Sequence, residues 1–344
     1  MSKIMTMIKE EAKRRFALVI NLFADGNTNV TTDTGLSDAM KTYYSDHLID
    51  LVEPELIHDQ FADKYPIPKN GGKTVEFRKY SPLGKALTPL TEGVTPKGQK
   101  LELSVLTATI AQYGGYVETS DILQLTAIDP IIVQATQQIA SQAGRTLDTI
   151  TREVLNGGTN VMYASKGDTA VNSRAAVDNA CLLTPQTIRK AVMILKRQNT
   201  PKIDGGYVAI IHPDVAYDLM SNEEWIDIHK YESSVNLFEG ESGKLAGVRF
   251  VENTEAKIFM GEGSGGANVY STMLLGKGGY ATTDVSGGGL RHIVKQLGSA
   301  GTADPLDQRA TVGWKAIKTA ERLIEQYMLR IESGASEGAT AIAN

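Results

Sequence analysis

Apolar residues recur at steps of three and four between Ile132 and Val154, through Ala135, Ile139, Ala143, Leu147 and Ile150. That spacing lays them along one face of a helix and predicts a single rod over 129–156. Asp129 is a good N-cap, and Pro130 fits the first helical position, where its missing N–H costs nothing. Ile128 and Val133 sit where a hydrophobic staple closes over that cap, and Gly157-Gly158 supply the stop. At ~1.5 Å per residue the rod is roughly 40 Å long, well beyond an average globular helix. Gly144 in mid-helix costs about 1 kcal/mol relative to Ala, which predicts a neighbouring backbone packed close against it.

Upstream, the pattern breaks into pieces. Ile4, Ile8, Ala12, Phe16 and Ile20 predict an amphipathic helix over 3–23, and Leu36, Met40, Tyr43, His47 and Leu51 a second one. Pro54 opens a short third helix carrying Leu56, Ile57 and Phe61, which Pro66 and Pro68 break. Residues 1–68 thus read as an arm with no core of their own. Residues 73–80 alternate with period two and predict a strand whose partner starts at Leu101. In that partner Leu103 and Val105 take one face, then Leu106, Ala108 and Ile110 the other. The slip predicts a bulge, or a strand leaving a ribbon to join a sheet. Between the strands, residues 81–100 hold three prolines and three glycines and cannot be helical. Leu83, Leu87, Leu90 and Val94, with Pro89 and Pro96 among them, are exposed on such a ribbon unless another surface covers them.

Downstream, Thr184-Pro185 caps a helix with Ile188, Val192 and Leu195 inward. Tyr207 to Ile211 is a buried-type strand, followed by a short helix over 215–220. Further strands are expected at 248–251, 269–275, 293–297, 311–319 (with Trp314 as a core anchor) and 327–332. Helices mixed with scattered strands describe an α+β chain.

Composition narrows the function more by exclusion than by signal. The net charge of −5 over 344 residues argues against a broad basic surface that grips nucleic acid. One cysteine, Cys181, excludes an internal disulfide and suits a reducing compartment. No apolar run of ~18 residues predicts a membrane span, and no leader peptide is expected from the short, Asn21-broken run after Lys13-Arg14-Arg15. Gly261, Gly263 and Gly266 match a dinucleotide fingerprint, but a strand follows where a helix must. The five histidines show no ligand spacing. Glu223-Glu224 and Asp148 read as solvated charges. No catalytic, cofactor or metal residue is assigned.

Several stretches, taken together, resemble tailed-phage major capsid proteins of the Hong Kong 97-like fold, in particular the coat-protein family typified by the podophage N-four. They are Leu87-Thr-Pro-Leu-Thr-Glu-Gly-Val-Thr-Pro96, Gln112-Tyr-Gly-Gly-Tyr-Val-Glu-Thr-Ser-Asp121, Leu125-Thr-Ala-Ile-Asp-Pro130, Leu147-Asp148, Val154-Leu155-Asn156, Asp304-Pro-Leu-Asp-Gln-Arg309 and Thr311-Val-Gly-Trp-Lys315. The likeness runs in matching order over residues 35–333. It implies an N-terminal arm (1–68), an extended hairpin loop laid over a neighbour (69–120), a peripheral domain (121–180 plus 304–344) with its spine helix at 129–156, and an axial domain (181–303). It implies a shell built from many copies of the chain, enclosing double-stranded DNA without reading its sequence, in a virion assembled in the host cytoplasm. Scaffold, portal and cement proteins are implied partners, and no membrane or cofactor is. Some relatives cross-link subunits through a Lys–Asn bond; Lys85, Lys97 and Asn156 are present, but no motif places them in that role. An encapsulin-type compartment shares the implied fold, and an α/β enzyme with a site in 181–303 is the rival of a different class.

Overall fold

The computed structural model describes residues 56–67, 72–80, 83–90, 92–95, 98–126, 131–167, 169–229, 244–285, 289–299 and 304–338. The helices expected over 3–23 and 36–51, the Asp129-Pro130 cap with Ile128, and Pro96 lie outside these residues. Residues 57–61 form turns instead of the short helix expected there. The reason is tertiary: Leu56 is drawn into one core while Ile57 and Phe61 are drawn into another, and no single helical face serves both. The chain then forms β1 (Asp63–Ile67), an edge strand and therefore tolerant of Pro66.

A ribbon of β2 (Thr74–Tyr80) and β3 (Leu103–Thr109) follows, and after Ile110 the chain continues as β4 (Ala111–Ser120). The strand beyond Ile110 leaves the ribbon and joins a sheet. The hairpin proper therefore ends at Thr109, and 111–120 belong elsewhere; Gly114-Gly115 had hidden the period of that strand. Next come α1 (Asp121–Thr126), α2 (Ile131–Asn156), β5 (Val161–Tyr163) and α3 (Pro185–Arg197). In α3 the Thr184 hydroxyl accepts from Thr187 N–H, and Pro185 opens the first turn. They lead to β6 (Tyr207–Ile211), α4 (Pro213–Met220), α5 (Glu223–His229), β7 (Lys244–Leu245) and β8 (Val248–Glu252). The last elements are β9 (Ile258–Phe259), β10 (Val269–Leu275), β11 (Tyr280–Val285), β12 (Arg291–Lys295), β13 (Arg309–Lys318), β14 (Ala320–Arg322) and β15 (Met328–Ser333).

The rod α2 lies on the three-stranded antiparallel sheet β12-β13-β4. Its Ile139, Ala140, Ala143 and Leu147 meet Val312, Trp314 and Ala316, alternate residues of β13, so this sheet turns one face to the helix. Trp314 is 4% exposed, and its Nε1–H donates to Gln142 Oε1 at 3.3 Å. Gly115 lies opposite Trp314 because a Cβ there would stand 2.7 Å from Gln142 Oε1 and 3.3 Å from the indole nitrogen. Gly144 is buried on the rod.

A seven-stranded sheet holds β5-β15-β10-β6-β8-β7 in that order, with β9 pairing β10. Every residue of β6, β10 and β15 is buried, which requires cover on both faces. One face carries α3, α4 and α5, whose Ile188, Val192, Leu195, Val215, Leu219 and Trp225 meet Tyr207, Ala209, Ile211, Phe250 and Leu329. The other face presents Ile210, Met273, Leu275 and Met328 to Leu155 of α2 and to Tyr280. Two strands therefore sit apart from the sequence-based division at residue 303. β15 is a central strand beside β10, because six consecutively buried residues fit only there, and β12 completes the sheet under α2. A third sheet, β1-β11-β14, ties the arm end to both.

Candidate functional site

The ribbon covers no core. β2 and β3 pair from Thr74 opposite Thr109 to Tyr80 opposite Leu103, and the described residues between Tyr80 and Leu103 form no regular structure. Leu87 is 81% exposed and Leu90 78% exposed; Leu83, Val94, Leu101 and Pro89 are exposed as well. The sequence signal for them was a Leu- and Pro-rich run without period. The loop is stitched by a donation from Gln99 Nε2 to Gly84 O at 3.1 Å, and the ribbon base touches β1 through the edge-on Tyr65–Phe77 pair, 5.2 Å between centroids. Burying one such leucine side chain is worth ~1.5–3 kcal/mol. A row of them left in water is an uncovered apolar surface on a two-stranded ribbon.

One cluster of acid–base side chains is buried against α2. Asp148, expected to be a solvated charge, has no exposure: Oδ1 accepts from His58 N–H at 2.8 Å, and Oδ2 lies 2.6 Å from His58 Nδ1 and accepts from Asn253 Nδ2 at 3.2 Å. The apolar face of α2 turns toward the arm end here, and the arm supplies what the carboxylate needs. Beside it Asp59 accepts from Thr151 Oγ1 at 2.6 Å and pairs with Lys318 Nζ, which also donates to Leu147 O at 2.7 Å. Burial pulls the Lys318 ammonium below the usual lysine range, and Asp59 opposes that pull. Tyr280 Oη donates to His58 O. Together these groups clamp residues 57–62 onto α2, β11 and β13; no substrate could enter among them.

Gly261, Gly263 and Gly266 lead through a short 3₁₀ turn into β10, so no helix N-terminus faces a phosphate. Burial raises the Cys181 thiol above its ordinary range, which disfavours the thiolate. Asn156 is buried: its amide donates to Arg152 O at 2.9 Å and its Oδ1 accepts from Ser271 Oγ at 2.5 Å, so it presents nothing to a neighbour's lysine. Among the described residues, no group of His, Cys, Asp and Glu could hold a metal ion, and no helix is long and apolar enough to cross a membrane.

A family model described as phage capsid protein matches residues 104–318, from β3 through α2 to the end of β13. The chain belongs to the phage capsid protein family. Solved structures agree on the fold. The capsid of Ralstonia phage GP4 aligns at a TM-score of 0.64 with 14% identity, over 80% of this chain and 87% of that one. The cyanophage Pam1 capsid asymmetric unit aligns at 0.61 with 18% identity, over 78% and 86%. The holo-SrpI encapsulin complex from Synechococcus elongatus PCC 7942 aligns at 0.52 with 11% identity, over 83% and 89%. No curated protein matches in sequence. The architecture is the Hong Kong 97-like α+β fold, the chain is a phage major capsid protein of the virion shell, and its partners are many copies of itself.

Proposed function

We propose that this capsid protein closes around double-stranded phage DNA without catalysis of its own, and that the exposed ribbon lies over a neighbouring copy. The observation that carries this reading is the pairing of a family match over 104–318 with a ribbon whose Leu87 and Leu90 stay in water. Leu83, Pro89, Val94 and Pro96 extend the same contact. Residues 1–68 act as the arm, and α2 with its three-stranded sheet forms the peripheral domain. Residues 181–285 with β15 crowd the symmetry axes as the axial domain. Scaffold, portal and cement proteins act on this shell during assembly in the host cytoplasm. DNA is held by enclosure, without sequence readout, as suits a net charge of −5.

Electron microscopy of the purified full chain tests the reading. Uniform closed shells or tubes are expected, and a chain that stays monomeric at high concentration refutes it. The encapsulin-type reading is favoured by the SrpI alignment, at a lower TM-score than the GP4 and Pam1 capsids. Particles recovered from infected cells separate the two: genomic DNA inside supports the phage shell, and enzyme cargo supports the compartment.

A further inference from the structure

Lys318 closes β13 and Asp59 lies in the turns before β1, 259 residues away in the chain. Their side chains are only 8% and 18% exposed. Lys318 Nζ touches Asp59 Oδ2 and donates to Leu147 O at 2.7 Å, while Asp59 Oδ1 accepts from Thr151 Oγ1 at 2.6 Å. A second carboxylate, the fully buried Asp148, follows Leu147 on α2 and acts on the same ammonium. By contrast, the pairs Lys166–Asp178 and Lys257–Glu153 each leave a partner open to water.

An ammonium and a carboxylate do not condense in water, because both charges are solvated and the nitrogen has no free lone pair. Burial shifts that balance. Desolvation penalises two charges held side by side, and it pulls the Lys318 ammonium below the usual lysine range against the opposing pull of Asp59 and Asp148. Passing one proton from Nζ to Oδ2 leaves a neutral amine against a neutral acid, with the lone pair beside Asp59 Cγ. The fixed contact also replaces a bimolecular encounter by a unimolecular one. We infer that Lys318 and Asp59 join in an intramolecular amide, Nζ to Cγ, that welds the end of the arm to β13.

In this step Nζ attacks Cγ, and negative charge gathers on Oδ1, where the Thr151 hydroxyl is already placed to donate. Oδ2, carrying the first proton, takes a second from the nitrogen and leaves as water, and the part-exposed position of Asp59 gives that water a way out. The ammonium starts with three hydrogens and the amide keeps one, so the balance closes without a co-reactant. Oδ1 remains as the amide oxygen on Thr151, and the remaining N–H stays on Leu147 O. Each chain does this once, with no turnover and no outside substrate. The linkage closes a very long loop, which restricts the unfolded chain more than the clamp alone. It lies within one chain, so it needs no neighbouring copy and stands or falls apart from the shell reading.

Intact mass spectrometry of the full chain in denaturant decides it. Wild-type protein kept folded at neutral pH for several days should be lighter than its sequence by one water. Trypsin should then release a branched peptide joining residues 42–64 to 316–322, uncut at Lys318. Lys318→Arg should keep the full mass, and Thr151→Ala, with a circular dichroism spectrum like that of wild type, should lose water about tenfold more slowly or worse. Wild-type protein that keeps its full mass would leave Lys318–Asp59 an ion pair only and overturn the proposal, and this reading needs no variant to fold. A water loss that persists in Lys318→Arg, as a succinimide at Asp204-Gly205 would give, or a branch mapped to other residues, would overturn it as well. An unchanged rate in Thr151→Ala would overturn the step as written.

Discussion

Truncating Trp314 tests whether the rod and its sheet form a core or a contact surface. The indole is 4% exposed and sits among Ile139, Ala140, Ala143 and Leu147 of α2 and its own neighbours Val312 and Ala316. Replacing a buried Trp by Ala costs ~3–5 kcal/mol in lost transfer energy and cavity. The hydrogen bond to Gln142 adds about 0.5–1.5 kcal/mol and leaves Oε1 without its donor. Relaxation cannot close the hole cheaply. Ala140, Ala143 and Gly115 have no side-chain length to swing into it, and Ile139 and Leu147 can fill it only by leaving their own packing. Total stabilities run ~5–15 kcal/mol, so Trp314→Ala removes about a fifth or more of what holds the fold. At ~2–4 °C per kcal/mol for a chain of this size, the melting temperature of the free subunit should drop by roughly 6–20 °C. Scanning calorimetry on unassembled protein reads this directly, with Trp314→Phe expected to recover part of the loss. A melting temperature within a degree or two of wild type, accompanied by lost assembly, would refute the reasoning and make Trp314 an interface anchor.

Deleting Lys85 to Lys97 and closing the gap with a short Gly-containing turn should leave circular dichroism and melting unchanged while shells fail or become aberrant; an unfolded subunit would show that the ribbon supports the core. Asp148→Ala strips the acceptor from the His58 backbone and ring and from Asn253, and breaking such a buried pair costs ~3–5 kcal/mol, so urea unfolding should shift accordingly. An unshifted midpoint would mean the clamp does not hold the arm end. Burial raises the Tyr280 hydroxyl well above its ordinary value of 10.0 and raises Tyr270 as well. The folded chain therefore keeps protons that the unfolded chain releases above about pH 10. Stability from these groups is intact below that pH and falls above it, by at most ~1.4 kcal/mol per pH unit for each. Tyr280→Phe should make the alkaline slope of unfolding free energy shallower, and an unchanged slope would remove Tyr280 as one of its sources.

How far the sequence reveals these features depends on whether a signal is local. The stripe on α2, the Thr184-Pro185 cap of α3 and the all-apolar β6 are local patterns, and the structure contains them at those positions. The slip after Val105 leaves no mark in the pairing: β2 and β3 stay in register through Thr109, and the chain leaves the ribbon only after Ile110. Where partners are distant in sequence, the pattern is silent. Nothing in Met328 to Ser333 says that it pairs with β10 rather than with the strand of Trp314, since both placements bury it. Asp148 looks like any helix-surface carboxylate until His58, ninety residues earlier, is seen to cap it. The reason for Gly114-Gly115, the closeness of Trp314 and Gln142, belongs to other segments. The ribbon leucines are the intermediate case: the sequence shows that they have no local core, and the structure shows them in water.

That division of labour follows from what a shell subunit must do. Where the chain meets itself, the contacts are buried and polar groups are paired: the His58–Asp148–Asn253 cluster, Lys318 between Asp59 and Leu147 O, and Trp314 on Gln142. In a low-dielectric interior such pairs are expensive to break, so one fold is specified whether or not neighbours are present. Where a subunit meets its copies, contacts must form in many slightly different settings around a closed surface, and must be modest singly so that misplaced subunits can leave. Exposed leucines on a ribbon that rests on no core meet that requirement, because a two-stranded ribbon can bend to fit without disturbing the sheets behind Ile110. Transferring the apolar run of the ribbon into the rigid sheets, or the buried ion pairs into the ribbon, would reverse both properties: the subunit would lose its single fold, and the shell would lose its ability to correct itself during assembly.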